Sequence, residues 1–130
     1  MPSIDQLNAD FALDDALTFE PGGGNLPRMH IETPTCRAEA YLHGAHVTRW
    51  LPSGHDEVLW LSDRALFQPD KPIRGGVPLC FPWFAGHKPK NQPNAPSHGY
   101  ARTTPWDIAE PSIPGDDVVV VFTAAIAPCW

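Results

Sequence analysis

Two short stretches, KPIRGGVPLCFPWF (Lys71 to Phe84) and HGYAR (His98 to Arg102), gather residues suited to holding a compact anion beside a ring. Residues 71–102 carry five cations, Lys71, Arg74, Lys88, Lys90 and Arg102, and no Asp or Glu, in a chain of formal net charge -6. Arginine offers phosphate or carboxylate oxygens a planar fork, and lysine offers a mobile point charge. Gly75 and Gly76, directly after Arg74, would let backbone N–H groups come close to such a ligand. His98 would donate to a sugar oxygen or exchange a proton with it. Trp83 and Tyr100 add aromatic faces of the kind that sugar rings stack on, Trp83 dividing evenly between that role and the core, whereas Phe81 and Phe84 are expected to face inward. The competing reading is a loop of solvated cations that serves no ligand.

The rest of the chain narrows the ligand class. An acidic body around a basic island suits a small anion and repels a long phosphate backbone, so general nucleic-acid binding is excluded. His43 and His46, in LHGAH, are spaced so that strands and turns would set them on opposite faces with no third ligand, and no metal site is expected. Cys36, Cys80 and Cys129 make no CxxC pair and leave an odd thiol, which fits a reducing compartment, with Cys80 read as a buried, inert thiol. GGG within PGGGN lacks the Lys-Ser/Thr and helix of a phosphate-binding loop and reads as a turn. No apolar run approaches the ~18 residues of a membrane span, and the N-terminus is too acidic and interrupted for a signal peptide. The expectation is a cytoplasmic protein with neither nucleic acid nor membrane as a partner.

The 130 residues suit one domain, 1–130, with no linker, and the 16 prolines argue against long helices. Asp5 to Phe19 reads as a helical turn passing into a short strand, with PGGGN as a hairpin loop. Alternation in MHIET, CRAEAYL and AHVTRWL predicts half-buried antiparallel strands in a meander. VLWLS (Val58 to Ser62) reads as another strand with Trp60 available to the core. Ser62 would cap one helical turn through DRALF, stopped by Pro69. TPWDIAE and DVVVVFTAAI read as two strands joined by a Pro-Ser-Ile-Pro-Gly turn, and the unbroken VVVV predicts cover on both faces. The fold class is all-β. Its last strand lacks a partner, which predicts either a fragment or self-association through an unfinished edge.

KPIRGGVPLCFPWF, HGYAR and Trp106, together with GAHVTRWLPSGHDEVLWLSDRALF (Gly44 to Phe67), closely resemble the N-terminal half of the glucose-6-phosphate 1-epimerases, the hexose-6-phosphate mutarotase branch of the aldose 1-epimerase family. The resemblance implies a galactose-mutarotase-like β-sandwich, represented here by an incomplete N-terminal portion. Such enzymes interconvert the α and β anomers of hexose 6-phosphates without metal or organic cofactor. A general acid protonates the ring oxygen while a base on the other side takes the anomeric proton, and cations hold the phosphate end. Carried over, Arg74 and Arg102 match positions of phosphate and substrate binding, His98 matches a sugar-site histidine, and either Lys88 or Lys90 fills the place of a lysine used in some relatives. Tyr100 stands where the family usually has Phe, and Ala85 where Gly commonly follows the Phe. Relatives are roughly double this length, and their general-acid His and general-base Glu are expected beyond Trp130, so no catalytic residue is identified in this chain. The tail TAAIAPCW also leaves the family pattern. The expected role is the substrate-binding part of a carbohydrate isomerase. The alternatives are a non-catalytic sugar-phosphate-binding module or truncated remnant, and a β-domain whose basic loop meets a protein partner.

Overall fold

Apolar and polar residues alternating along four short runs build an antiparallel meander of β1 (Leu17–Pro21), β2 (Pro27–Glu32), β3 (Cys36–Tyr41) and β4 (His46–Pro52). The structure is a computed structural model that describes residues 2–126; Cys129 and the rest of the 127–130 end, part of the tail read above, lie outside the described residues. Because side chains i and i+2 share a face, the register Phe19↔Met29, Met29↔Ala40 and Ala40↔Val47 draws one apolar row across the sheet. The opposite face carries the row His30, Glu39 and Arg49. There Arg28 bonds Glu20 at 2.9 Å, and Arg49 bonds Glu57 at 3.1 Å.

A second layer covers the apolar row. It consists of α1 (Ile4–Phe11) and the hairpin of β5 (Asp107–Ser112) and β6 (Val119–Thr123). Leu7 and Ile108 join the buried cluster of Leu17, Phe19, Met29, Ala40 and Leu42, with Val118, Val120 and Phe122 packed against it. Helix α1 is longer than the single turn expected. Ser3 Oγ accepts the Gln6 N–H at its start, and Asn8 ties it to the free edge of β1 by exchanging two 2.8 Å bonds with the Phe19 backbone. With one short α-helix and two antiparallel sheets among the described residues, the fold is all-β as read from the sequence. No described helix is long and apolar enough to cross a membrane.

Two local expectations fail for physical reasons, and the Ser62 turn holds only as one turn. Val58–Ser62 forms no strand, because the Glu57 carboxylate takes the N–H groups of Trp50 (2.7 Å) and Leu59 (3.2 Å) and displaces a ladder there; Trp60 is 72% exposed rather than in the core. Ser62 starts a single turn, its hydroxyl accepting the Arg64 N–H, and no helix follows. The valine run is covered on one face only within the described residues. Strand geometry sends Val118 and Val120 inward and leaves Val119 and Val121 half exposed.

Residues 53–77 fold over one end of the charged face and close a small second core of Leu26, Tyr41 and Ile73, where Phe67 stacks on Tyr41 with ring centroids 5.2 Å apart. Ile73 thereby anchors the loop that presents Arg74. The glycines that follow give room to neighbouring backbone rather than to a ligand. Gly75 has φ 110°, and a Cβ on it would stand 2.5 Å from the Trp60 carbonyl oxygen. A Cβ on Gly76, at φ 61°, would run into the Val47 carbonyl oxygen, and the Gly76 N–H is already donated to Trp60 O at 2.7 Å. Gly76→Ala combines left-handed strain with overpacking, so it should lower unfolding free energy by about 2–4 kcal/mol. Urea denaturation measures this, and a wild-type midpoint would show that the loop tolerates the shift.

Candidate functional site

Two loops and one tight turn carry the cations. Arg74 is exposed beside buried Ile73, and the backbone of its loop is held from below by two histidines of the β3–β4 turn. His43 Nε2 donates to Lys71 O at 2.7 Å, and His46 Nε2 donates to Gly75 O at 2.5 Å. Both rings are buried, at 2% and 0% exposure, and point toward the same loop rather than to the opposite faces expected from their spacing. The turn at Leu42–Ala45 breaks strand alternation between them, which the count of residues alone could not register. These two residues were missed as contributors to the site. The available signal was two histidines set between apolar strand ends, Leu42 and Val47, where an imidazole must find a buried partner.

Burial pushes the His46 imidazole below its ordinary range of 6.5, helped by the neighbouring His43 and Arg102 and partly opposed by the Gly75 carbonyl. Its Nδ1 has no hydrogen-bond partner among the described residues, and neither has Arg102 Nε.

His98 is held by a two-bond clasp at the neck of a loop. Its N–H donates to Ala85 O and its Nδ1 accepts the Ala85 N–H, both at 2.9 Å. An accepting Nδ1 puts the proton of the neutral ring on Nε2, leaving an N–H donor on the far side of the ring. Ala85 adopts φ 52°, a left-handed conformation that glycine takes more readily, so the Gly that the resemblance leads one to expect here would fit with less strain. Phe84 stands 65% exposed with its ring edge-on to His98, centroids 4.9 Å apart; Phe81 is also half exposed, so neither faces the core as expected. Trp83, balanced between the two roles in the sequence, takes the buried one. It is only 8% exposed, its indole N–H donates to Pro96 O at 3.0 Å, and Tyr100 meets it edge-on, so it forms the inner wall of the loop rather than a platform for a ring. Tyr100 Oη in turn donates to Gln92 Oε1 at 2.5 Å.

Arg102 lies on the 3-10 turn Ala101–Thr103, half buried, with one terminal nitrogen donating to Ser97 O at 2.9 Å. His98 and Arg102 therefore share the foot of one loop. Arg74 reaches them only through the β3–β4 turn, and Lys88 and Lys90 ride on the exposed part of the loop without bonds to the others among the described residues. Among those residues, every ion pair involves Arg28, His30, Arg37 or Arg49; none involves Lys71, Arg74, Lys88, Lys90 or Arg102. The island has no carboxylate partner among the described residues, and all of its cations but the half-buried Arg102 are exposed. A cleft lined by Glu32, Cys36 and His55 lies elsewhere and contains none of these cations. Glu20, His30 and Glu39 bring donor atoms within 4.8 Å of one another, but the Arg28 guanidinium bonds Glu20 there and supplies the positive charge a metal would.

Comparisons with known proteins agree on one family. The family model for aldose 1-epimerase matches residues 27–127. A Salmonella typhimurium protein named "Putative glucose-6-phosphate 1-epimerase" is 40% identical over 125 residues, which are 94% of this chain and 38% of its own. A protein of the same name from Escherichia coli is 41% identical over 92 residues, 71% of this chain and 30% of its own. Among solved structures, the crystal structure of a "putative mutarotase" from Salmonella typhimurium superposes with a TM-score of 0.76 at 33% identity, covering 92% of this chain and 40% of that one. The matched stretch is 30–38% of the length of these curated relatives.

The lowered His46 value carries a sign. Below about 6.5 the unfolded chain binds a proton that the folded ring resists. The contribution of His46 is therefore complete above that pH and is lost as the pH falls through its lowered folded value. Urea midpoints measured from neutral to mildly acidic pH should fall less steeply in His46→Gln, which keeps a donor for Gly75 O but cannot titrate. Equal slopes in the two proteins would show that His46 does not report acid.

Proposed function

This chain belongs to the aldose 1-epimerase family, and from that premise we propose that residues 71–102 anchor a hexose 6-phosphate for interconversion of its α and β anomers. The observation that carries the reading is the set of cations left without carboxylate partners among the described residues, on loops whose backbones are otherwise tied down. Arg74 and Arg102 take the phosphate, with Lys88 or Lys90 closing over it as a mobile charge. The Nε2–H of His98 donates to a ring or hydroxyl oxygen, and exposed Phe84 offers its face to the C–H side of the sugar.

Anomer exchange needs a proton donor at the ring oxygen and an acceptor at the anomeric hydroxyl on opposite sides of the ring. Residues 71–102 contain no carboxylate to serve as the acceptor, and the resemblance assigns the acid and base to positions beyond Trp130. Our reading is that the 130-residue chain binds and orients the phosphosugar, and that ring opening requires groups it does not itself supply.

Isothermal titration with glucose 6-phosphate should give saturable binding, weaker by roughly ten- to hundredfold in Arg74→Ala, the scale of one charge-assisted contact. Exchange spectroscopy between the glucose 6-phosphate anomers should show no acceleration by the isolated chain. Accelerated exchange would overturn the division of labour, and absence of binding would leave the basic loop free to meet a protein partner instead.

A further inference from the structure

The β3–β4 turn touches both arginine-bearing loops at once. On one side the imidazoles of His43 and His46 take the carbonyls of Lys71 and Gly75, which bracket Pro72, Ile73 and Arg74. On the other side the Gly44 N–H donates to Thr104 O at 2.8 Å, and Leu42 O accepts the Trp106 N–H at 2.9 Å. Gly44 sits so tightly against the Arg102 turn that a Cβ would stand 2.8 Å from the Arg102 carbonyl oxygen.

Apolar side chains of similar volume would fill these two buried positions without difficulty, but they would orphan two carbonyls. A histidine supplies a donor at that reach and little else. The loop's own pairing is limited to isolated antiparallel bridges, Leu61 with Gly75 and Val47 with Val77, and a histidine at each end of Lys71–Gly75 adds the restraint that those bridges leave out. Ile73 gives the loop a buried foot, and the two imidazoles give it a heading.

We infer that His43 and His46 are positioning residues that fix the Lys71–Gly75 backbone, and so set where Arg74 presents its guanidinium relative to Arg102 for the anionic end of a ligand. The inference rests on the phosphosugar reading for its ligand and on the hydrogen-bond geometry for everything else. It requires a donor at the Nε2 position of residue 46, not a titrating ring. Glutamine should therefore serve in place of histidine, and phenylalanine should not.

The test compares the 130-residue wild type, His46→Gln and His46→Phe by titration with glucose 6-phosphate and by amide hydrogen exchange. Ser62 N–H, donated to Arg74 O, and Gly76 N–H report on the loop directly. His46→Phe should bind roughly tenfold more weakly and exchange these two amides roughly tenfold faster, with β1 to β3 unchanged, the scale of one lost hydrogen bond. His46→Gln should stay within about threefold of wild type in both readouts. Wild-type behaviour of His46→Phe, or failure of His46→Gln to restore it, overturns the inference. If the wild type binds no glucose 6-phosphate, the phosphosugar reading fails alone, and locally faster exchange in His46→Phe still supports the clamp while unchanged exchange overturns it. Should His46→Phe not fold, the wild-type His46 Hε2 proton decides: slow exchange with solvent and a shift on adding glucose 6-phosphate support positioning, and rapid exchange overturns it.

Discussion

A loop with no ladder of its own can hold a charge in place only if its backbone is tied from outside, and that constraint governs the region between β4 and β5. Residues 53–106 contain no strand and one 3-10 turn, yet they carry all of the unpaired cations discussed here. Their fixity comes from isolated bridges, such as Leu61 with Gly75, and from single bonds at chosen points. Two imidazoles meet the carbonyls of Lys71 and Gly75, Ala85 and His98 clasp each other, and Phe81 O accepts the N–H groups of Tyr100 and Ala101. The regular sheets matter to the site chiefly because they hold the far ends of these bonds still.

Charge is partitioned by the same architecture. The net charge of -6 describes the chain but not its surface. Glu20, Glu39 and Glu57 lie on or beside the outer face of the meander, where Arg28 and Arg49 neutralise them. The loops inherit cations with no such partners, so two neighbouring surfaces of one small fold differ in what they attract. Exposed pairs of that kind add little stability. Their larger effect is to keep carboxylates away from the loop cations.

Strands were legible because period two leaves a mark that survives without tertiary information: β2, β3 and β4 fall within or beside the alternating runs, β6 within the valine run, and β1 and β5 beside stretches bounded by turn residues. The basic island was legible for a similar reason, since charge is a property of composition. Trp60, Phe81, Phe84 and Trp83 were not. An aromatic residue in an irregular loop has no periodicity to say which way it points, and the deciding facts are non-local, such as the Glu57 carboxylate that replaces a strand partner or the Pro96 carbonyl that draws the indole inward. The histidine pair failed through a wrong assumption of regular geometry across a turn. The Gly75–Gly76 pair was read as room for a ligand, while the room is filled by the backbone of residues 47 and 60.

The clasp between Ala85 and His98 also separates the loop's interior from its ends. Closure entropy grows only slowly with length, about 0.6 kcal/mol for each doubling, and the neck bears that cost locally. Changes confined to the tip from Gly86 to Asn91 therefore leave the foot standing, whereas Gln92, Pro96 and Ser97 bond Tyr100, Trp83 and Arg102 and belong to that foot. The charges of Lys88 and Lys90 thus sit on a part of the loop whose length and composition the clasp uncouples from the geometry at its base.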